Sequence, residues 1–233
     1  MRRAAYASLT LLSVAVSTAS AGSLYSQNFE VDPTGSWTVH SFATDSAVNF
    51  FFDYSTVGVP PAPNGAGTRG MKLQANLVSN IFGGVSASPN GQSFAGDYTV
   101  RFDWWANFNG PFPGGGNGAT HLSTFGVCTA GASPQSPGAT VDSVFFAATG
   151  DGGSASDYRA YSSAAPTSYA AGNAVYAAPG GAINNSDPYY AGFGGVGAPA
   201  AQLALFPQQS GTTSVGTAGM AWHEVLIEKA GNL

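Results

Sequence analysis

Three aromatic side chains and two amides carry the chemistry needed to hold a sugar. Trp105 lies on the mostly polar side of an alternating segment that ends at Asn107, and Asn109 follows it. Tyr189 and Tyr190 stand together in a later Gly-rich stretch. Pyranose faces stack on such rings, while amide groups bond to hydroxyl groups. The pattern predicts a ligand site for polysaccharide, although the same rings would serve equally well to fill a core or fix a loop.

Acidic side chains in turn-rich stretches offer a different chemistry, that of a hard cation. Asp151 and Asp157 flank a Gly-Gly pair, and Asp187 closes the run Asn184–Asp187. Calcium takes 6 to 8 oxygen ligands, which carboxylates and loop carbonyls can supply together. The spacing does not match an EF-hand, and Asp followed by Gly is equally the composition of a plain turn. The sequence therefore leaves two interpretations of these three carboxylates open, calcium ligands or residues of simple turns.

Glycoside hydrolysis needs two carboxylates, roughly 5–5.5 Å apart for retention or 6.5–9.5 Å apart for inversion. Beyond residue 21 the only glutamates are Glu30, Glu224 and Glu228. The last two share a strand face but lie about 13 Å apart by strand rise. Asp103 is an isolated acid for which Arg101, on the same face, is the nearest candidate partner. A hydrolase therefore remains an alternative whose acid pair is not recognisable.

Histidine and cysteine give no catalytic or zinc signature. His40, His121 and His223 all fall within predicted strands, and their spacing does not suggest zinc. The chain has no Gly-x-Ser-x-Gly elbow for a nucleophilic serine. Cys128 is the single cysteine, so an intrachain disulfide is excluded and a small buried apolar role is favoured.

Short alternating segments must position these groups. The clearest is Asp97–Asn107, in which Tyr98, Phe102 and Trp104 fall on an apolar face that we expect to point inward. Short segments bounded by Gly, Pro, Asn or Asp predict further strands. They are Leu24–Val31, Ser36–Phe42, Ala47–Tyr54, Gly70–Leu77, His121–Cys128, Val141–Ala148, Tyr158–Ser162 and Ala221–Glu228. Ala200–Phe206 is compatible with one or two helical turns or with extended chain.

Many short strands and long Gly/Pro-rich connections predict an all-β fold. The connections are Val59–Thr68, Gly110–Gly118 and Ala164–Pro199. We expect a single domain over residues 22–233, an antiparallel β-sandwich of jelly-roll type. The last strand leads into turn residues without a second hairpin arm, so the sequence also predicts either an edge strand there or a fragment of a longer protein.

The first 21 residues have the layout of a secretory signal peptide. Arg2 and Arg3 precede an apolar run from Ala4 to Val16, and Ala19-Ser20-Ala21 forms a small-residue cleavage site. The apolar run is shorter than the roughly 20 residues a spanning helix needs. We expect cleavage before Gly22, export by the general secretory route, no transmembrane segment, and an extracellular or cell-surface location.

Composition argues against nucleic-acid binding and against disorder. Removing Arg2 and Arg3 leaves five basic against twelve acidic groups, so the mature chain has a net charge of −7. Nucleic-acid binding needs a cationic surface and is therefore excluded. Charged residues make up only 8% of the chain, yet 44% is hydrophobic and 12% aromatic, which argues for a packed core over disorder.

Five runs resemble a group of exported bacterial proteins that carry a C-terminal PEP-CTERM sorting tail. They span residues 50–73, 91–118, 147–163, 187–209 and 220–229, beginning with FFFDYSTVGVPPAPNGAGTRGMKL. The resemblance implies a jelly roll similar to concanavalin A-like and laminin-G domains, but no activity at named residues. The sorting tail and the closing strands of such domains are not in this sequence, which strengthens the fragment interpretation.

Taken together, these features predict a non-enzymatic secreted or cell-surface module that binds extracellular polysaccharide or associates with an extracellular matrix. The predicted ligand residues are Trp105, Asn107, Asn109, Tyr189 and Tyr190. Two alternatives stay open. One is a glycoside hydrolase-like enzyme, and the other is a structural surface protein that binds no small ligand.

Overall fold

The structure is a computed structural model of the 233-residue chain. It describes residues 22–41, 44–78, 83–114, 121–128, 143–163 and 168–231, so the predicted signal peptide lies outside the described residues. In chain order the strands are β1 (Trp37–Ser41), β2 (Ala47–Asp53), β3 (Arg69–Gln74), β4 (Val85–Pro89), β5 (Tyr98–Trp105), β6 (Leu122–Cys128), β7 (Ser143–Thr149), β8 (Tyr158–Ser163) and β9 (Trp222–Lys229). A short helix, α1 (Ala200–Leu205), interrupts the last long connection.

All pairings between the nine described strands are antiparallel. β1 pairs with β4, β2 with β3, and β5 with β9, while β6, β7 and β8 form a three-stranded sheet. The prediction of an all-β protein built from antiparallel sheets is therefore confirmed. The jelly-roll strand order stays a prediction.

The apolar face of β5 packs on the neighbouring sheet. The Phe125 ring of β6 lies 5.7 Å from the Phe102 ring and 5.6 Å from the Trp104 ring. Phe102 and Trp104 stand opposite Val225 and His223 in the β5–β9 register, so both strands contribute to this face. Two sheets stacked through such contacts form a β-sandwich, as the alternation on β5 predicted.

The second face of the three-stranded sheet holds the largest fully buried side chain of the described residues. Phe145 is 0% exposed, and its ring stacks on Tyr161 with centroids 4.3 Å apart and planes at 4°. Gly126 lies opposite Phe145 in the ladder. A Cβ at Gly126 would lie 2.4 Å from Phe145 Cβ, so the close approach of β6 and β7 requires glycine at this position.

The prediction of a strand at Leu24–Val31 is wrong. Gln27 Oε1 accepts a hydrogen bond from Phe29 N at 2.7 Å. Asn28 Oδ1 accepts one from Glu30 N at 3.1 Å. Side-chain bonds of this kind satisfy the backbone locally and compete with a strand ladder. The segment therefore runs without a strand partner despite its alternating pattern.

Two elements were missed or left open by the sequence. β4 has small residues with weak strand preference and becomes a strand through its five-residue register with β1. Residues 200–205 form helix α1, so the extended alternative for this segment is wrong. Its backbone lies against Gly58, which ends the 3₁₀ turn Tyr54–Val57, and a Cβ at Gly58 would lie 2.2 Å from Gln202 N. Tertiary contact thus decides both elements.

Candidate functional site

Several strand ends meet at one end of the sandwich. Trp105 pairs with Trp222 at one end of the β5–β9 ladder. Leu122 pairs with Thr149 at the corresponding end of the β6–β7 ladder. Gly219 N, which precedes β9, donates to the oxygen of Gly150, which follows β7, at 3.0 Å. We call residues 106–114, 150–157 and 183–221 the loop end. It contains every predicted ligand and calcium residue except Trp105, the last residue of β5.

Tyr189 has the most exposed aromatic ring of the loop end, and two buried or partly buried tyrosine rings support it. It is 53% exposed, and its ring meets that of Tyr190 edge-on at 5.1 Å and 87°. Tyr190 is buried and stacks on Tyr158 with centroids 4.0 Å apart. Asp187 Oδ1 accepts from Tyr189 N at 2.8 Å and caps the short turn. Of the two predicted tyrosines, one faces solvent and the other supports it.

The two supporting phenols are held as hydrogen-bond donors. Tyr158 donates its hydroxyl to the Gly216 carbonyl, and Tyr190 donates to the Ala182 carbonyl at 2.8 Å. Burial raises the pKa of both hydroxyl groups above the usual value, with nearby charges adding to the effect. Both groups therefore stay protonated across the physiological range, and the base under Tyr189 keeps its hydrogen bonds.

Trp105 sits in a different aromatic group from Tyr189. It is partly buried against the cluster of Phe108, Phe112 and Met220. Its ring also meets Trp222 edge-on at 5.5 Å. This placement favours the core-filling interpretation of Trp105 over a free sugar platform.

Asn107 and Asn109 are both exposed on the loop that follows β5. Asn107 Oδ1 accepts from Gln202 Nε2 at 3.0 Å and from Gln209 Nε2 at 2.8 Å. Gln202 is 0% exposed, and Gln209 is also buried. No pattern in the sequence pointed to these glutamines, because glutamine is mostly an exposed residue.

The three predicted calcium ligands each accept hydrogen bonds from nearby groups of the chain. Asp157 is 1% exposed, and its Oδ1 accepts from Thr149 Oγ1 at 2.7 Å while its Oδ2 accepts from Asn185 N at 2.8 Å. Asp151 Oδ1 accepts from the backbone of its own turn at 3.1 Å, and Asp187 caps the turn before Tyr189. Within the described ranges no three histidine, cysteine, aspartate or glutamate side chains gather to hold a metal ion. The calcium site stays a hypothesis, and the hydrogen bonds of Asp151 and Asp187 are those expected of simple turns.

A pair of carboxylates that the sequence did not reveal lies across the β5–β9 ladder. Asp103 stands directly opposite Glu224 in the register. Both oxygens of Asp103 accept from Asn64, from its backbone and its side-chain nitrogen, each at 2.8 Å. Arg101 lies 3.4 Å from Glu224 and makes no ion pair with Asp103 among the described residues. Asp103 therefore anchors the connection between β2 and β3.

His223 is enclosed between aromatic rings on the inner face of β9. Its ring lies 5.9 Å from that of Trp104 and 5.2 Å from that of Phe193. Nε2 is 2.9 Å from the carbonyl oxygen of Ala218, to which the neutral ring donates when Nε2 carries the proton. Burial lowers the pKa of His223, and the bond to Ala218 offsets only part of that effect.

This burial predicts a loss of stability on mild acidification. The pKa of His223 in the folded protein lies below its unfolded value near 6.5, so neutral His223 contributes fully to the free energy of unfolding above pH 6.5. This contribution is lost as the pH falls from that value through the folded pKa. We expect the free energy of unfolding in urea to fall between pH 7.5 and pH 5.5, and to fall less in His223→Gln. His40→Gln, on β1, is the control. Equal pH dependence in wild type and His223→Gln would contradict the prediction.

No family model matches the chain, and no curated protein or solved structure is significantly similar to it. Among the described residues, α1 is far too short to cross a bilayer, and no other helix is long and apolar enough to do so.

Proposed function

We propose that the chain is a non-enzymatic, secreted or cell-surface β-sandwich module that binds a neutral polysaccharide at its loop end. The observation that carries the proposal is the Tyr189 ring, which is 53% exposed while standing on the stacked rings of Tyr190 and Tyr158. A ring held in place before binding loses little conformational freedom when a sugar stacks on it. An exposed ring that neighbouring rings hold in place is therefore suited to stacking on a sugar.

Polar groups of the loop end support the same function. Asn107 and Asn109 are exposed amides on another loop of the loop end, and amides bond readily to hydroxyl groups. The chain carries few charges and a net negative balance, which disfavours an anionic polysaccharide and leaves a neutral one. The signal-peptide layout of residues 1–21 and the resemblance to exported bacterial proteins support an extracellular location.

Substitution of Tyr189 tests the proposal. Tyr189→Ala removes the stacking ring but leaves the buried Tyr190–Tyr158 pair in place. We expect its affinity for the bound polysaccharide to fall at least about tenfold, as for an aromatic binding hot spot. Pull-down on cellulose, chitin and β-1,3-glucan, followed by affinity electrophoresis in mannan and xylan, measures the change.

The matched control is Tyr25→Ala, an exposed tyrosine outside the loop end. We expect this variant to bind like wild type. Equal losses in both variants, or no loss in Tyr189→Ala, would refute the site. Failure of the wild type to bind any of the five polysaccharides would remove the proposed function and favour a structural surface protein.

The same incubations discriminate the hydrolase alternative. Directly opposite residues of an antiparallel pair have Cβ atoms about 4.5–5.5 Å apart, so Asp103 and Glu224 are close enough to be weighed as an acid pair. The bonds from Asn64 to both oxygens of Asp103 argue against that role. We expect no release of reducing sugar, and release that is abolished by Glu224→Gln would overturn the non-enzymatic assignment.

A further inference from the structure

Two buried glutamines converge on one exposed asparagine. Gln202, from α1, and Gln209, from the loop that follows it, each direct Nε2 at Asn107 Oδ1, at 3.0 Å and 2.8 Å. Gln202 Nε2 also lies 2.7 Å from Gln209 Oε1 and 3.5 Å from Met220 Sδ. The side-chain oxygen of Asn107 is therefore held by two buried glutamine side chains.

A backbone carbonyl fixes the direction of every amide in this network. The Phe108 oxygen can only accept, and Gln209 Nε2 donates to it at 2.8 Å. Gln209 must then present Oε1 to Gln202, and Gln202 must present Nε2. Since both glutamines donate to Asn107, Asn107 must turn its oxygen inward. Its Nδ2 makes no hydrogen bond within the described part of the chain, so both of its protons are free for a ligand.

This hydrogen-bond network makes the folded state less stable than apolar side chains at the same positions would. Gln202 Oε1 is buried and has no hydrogen-bond partner among the described residues. A buried polar atom without a partner is unfavourable, and a partly satisfied network is worse for stability than apolar packing. Stability alone therefore does not explain two buried glutamines at this position, whereas the orientation that they impose on Asn107 does.

We propose that Gln202 and Gln209 are positioning residues, which hold Asn107 so that its Nδ2 donates to an acceptor oxygen of the bound polysaccharide. This inference rests on the proposed function and deepens it, because it specifies the ligand chemistry at one contact. Asn107 offers donors only, so a sugar hydroxyl or ring oxygen facing it must accept. The amide is oriented before binding, and little rotamer freedom is lost when the ligand arrives.

Asn107→Asp tests the contact with a minimal change. The aspartate keeps an oxygen for Gln202 and Gln209 but replaces the outward donors with an acceptor. We expect at least about tenfold weaker binding of the polysaccharide that the wild type retains, with an unchanged melting temperature. Asn76→Asp, at an exposed asparagine outside the loop end, is the control for the added charge. Wild-type affinity in Asn107→Asp would overturn the proposal.

A double-mutant cycle separates positioning from a merely structural role. We expect Gln209→Met to weaken binding in the wild-type background and to have no further effect in the Asn107→Asp background, because Gln209 acts through Asn107. An equal loss in both backgrounds would overturn the positioning role. Gln202→Met is the second variant should Gln209→Met fail to fold. If the wild type binds none of the five polysaccharides, both the proposed function and this inference are wrong. If the wild type binds and Asn107→Asp binds equally well, only this inference is wrong.

Discussion

Phe145→Ala is expected to lower the free energy of unfolding by about 3–5 kcal/mol, the usual cost of removing a fully buried phenylalanine. Phe145 is 0% exposed and stacks on Tyr161 at 4.3 Å. The opposing Gly126 has no side chain that could move into the space left behind. The variant would therefore keep a cavity and lose a ring contact together. Equilibrium unfolding in urea, with the slope compared between variants, measures the loss.

Its neighbour in β7 provides the matched control. Phe146 is 37% exposed and lines a cleft of about 140 Å³ with Val127, Val144 and Ile227. Removal of a ring that is already partly hydrated costs less transfer free energy and opens no closed cavity. We expect Phe146→Ala to cost less than half as much as Phe145→Ala. Equal costs would show that the core of this sheet is not where the structure places it.

Asp157→Asn is expected to lower the free energy of unfolding by about 2–3 kcal/mol, since bonds to a buried charged group are lost. Asp157 Oδ1 accepts from Thr149 Oγ1 and Oδ2 accepts from Asn185 N. An amide can accept on only one side, so one of these donors would face an NH₂ group. Asp157 joins the β7–β8 turn to the segment that carries Tyr189, and the loss would loosen both. Urea unfolding of variant and wild type measures it.

Asp187→Asn is the control for this change. Asp187 caps a short turn through one bond to Tyr189 N, and asparagine caps about as well as aspartate. We therefore expect wild-type stability in Asp187→Asn. The same samples test the two interpretations of these carboxylates, because a wild-type melting temperature that EDTA leaves unchanged supports simple turns. A melting temperature that rises with calcium in the wild type but not in Asp157→Asn would instead establish a metal site.

The strand content of the protein could be predicted because the signal is local. Alternation in β5 is visible within eight residues, and its apolar face meets Phe125 as expected. The same kind of signal misled at Leu24–Val31, where Gln27 and Asn28 bond to the nearby backbone. Whether an alternating segment pairs with another strand depends on residues that are distant from it in sequence.

Only some residues of the candidate site could be predicted from residue type and spacing. Tyr189 and Asn107 were selected for their chemistry, and both are exposed at the loop end. Trp105 satisfied the same criteria, yet it packs beside Met220 and Trp222. Residue type and spacing identify groups able to bind a sugar. They do not reveal which of those groups the fold covers.

The sequence by itself determined the class of the fold, the acidic and disulfide-free character of the chain, and the residue types available for recognition. Only the tertiary structure decided that Gln202 and Gln209 hold Asn107, partners that lie 95 and 102 residues away along the chain. Likewise, only the register brought Asp103 opposite Glu224. The physical reason is that alternation and turn composition act between neighbours, whereas burial and hydrogen-bond pairing depend on which distant segments the folded sheets bring together.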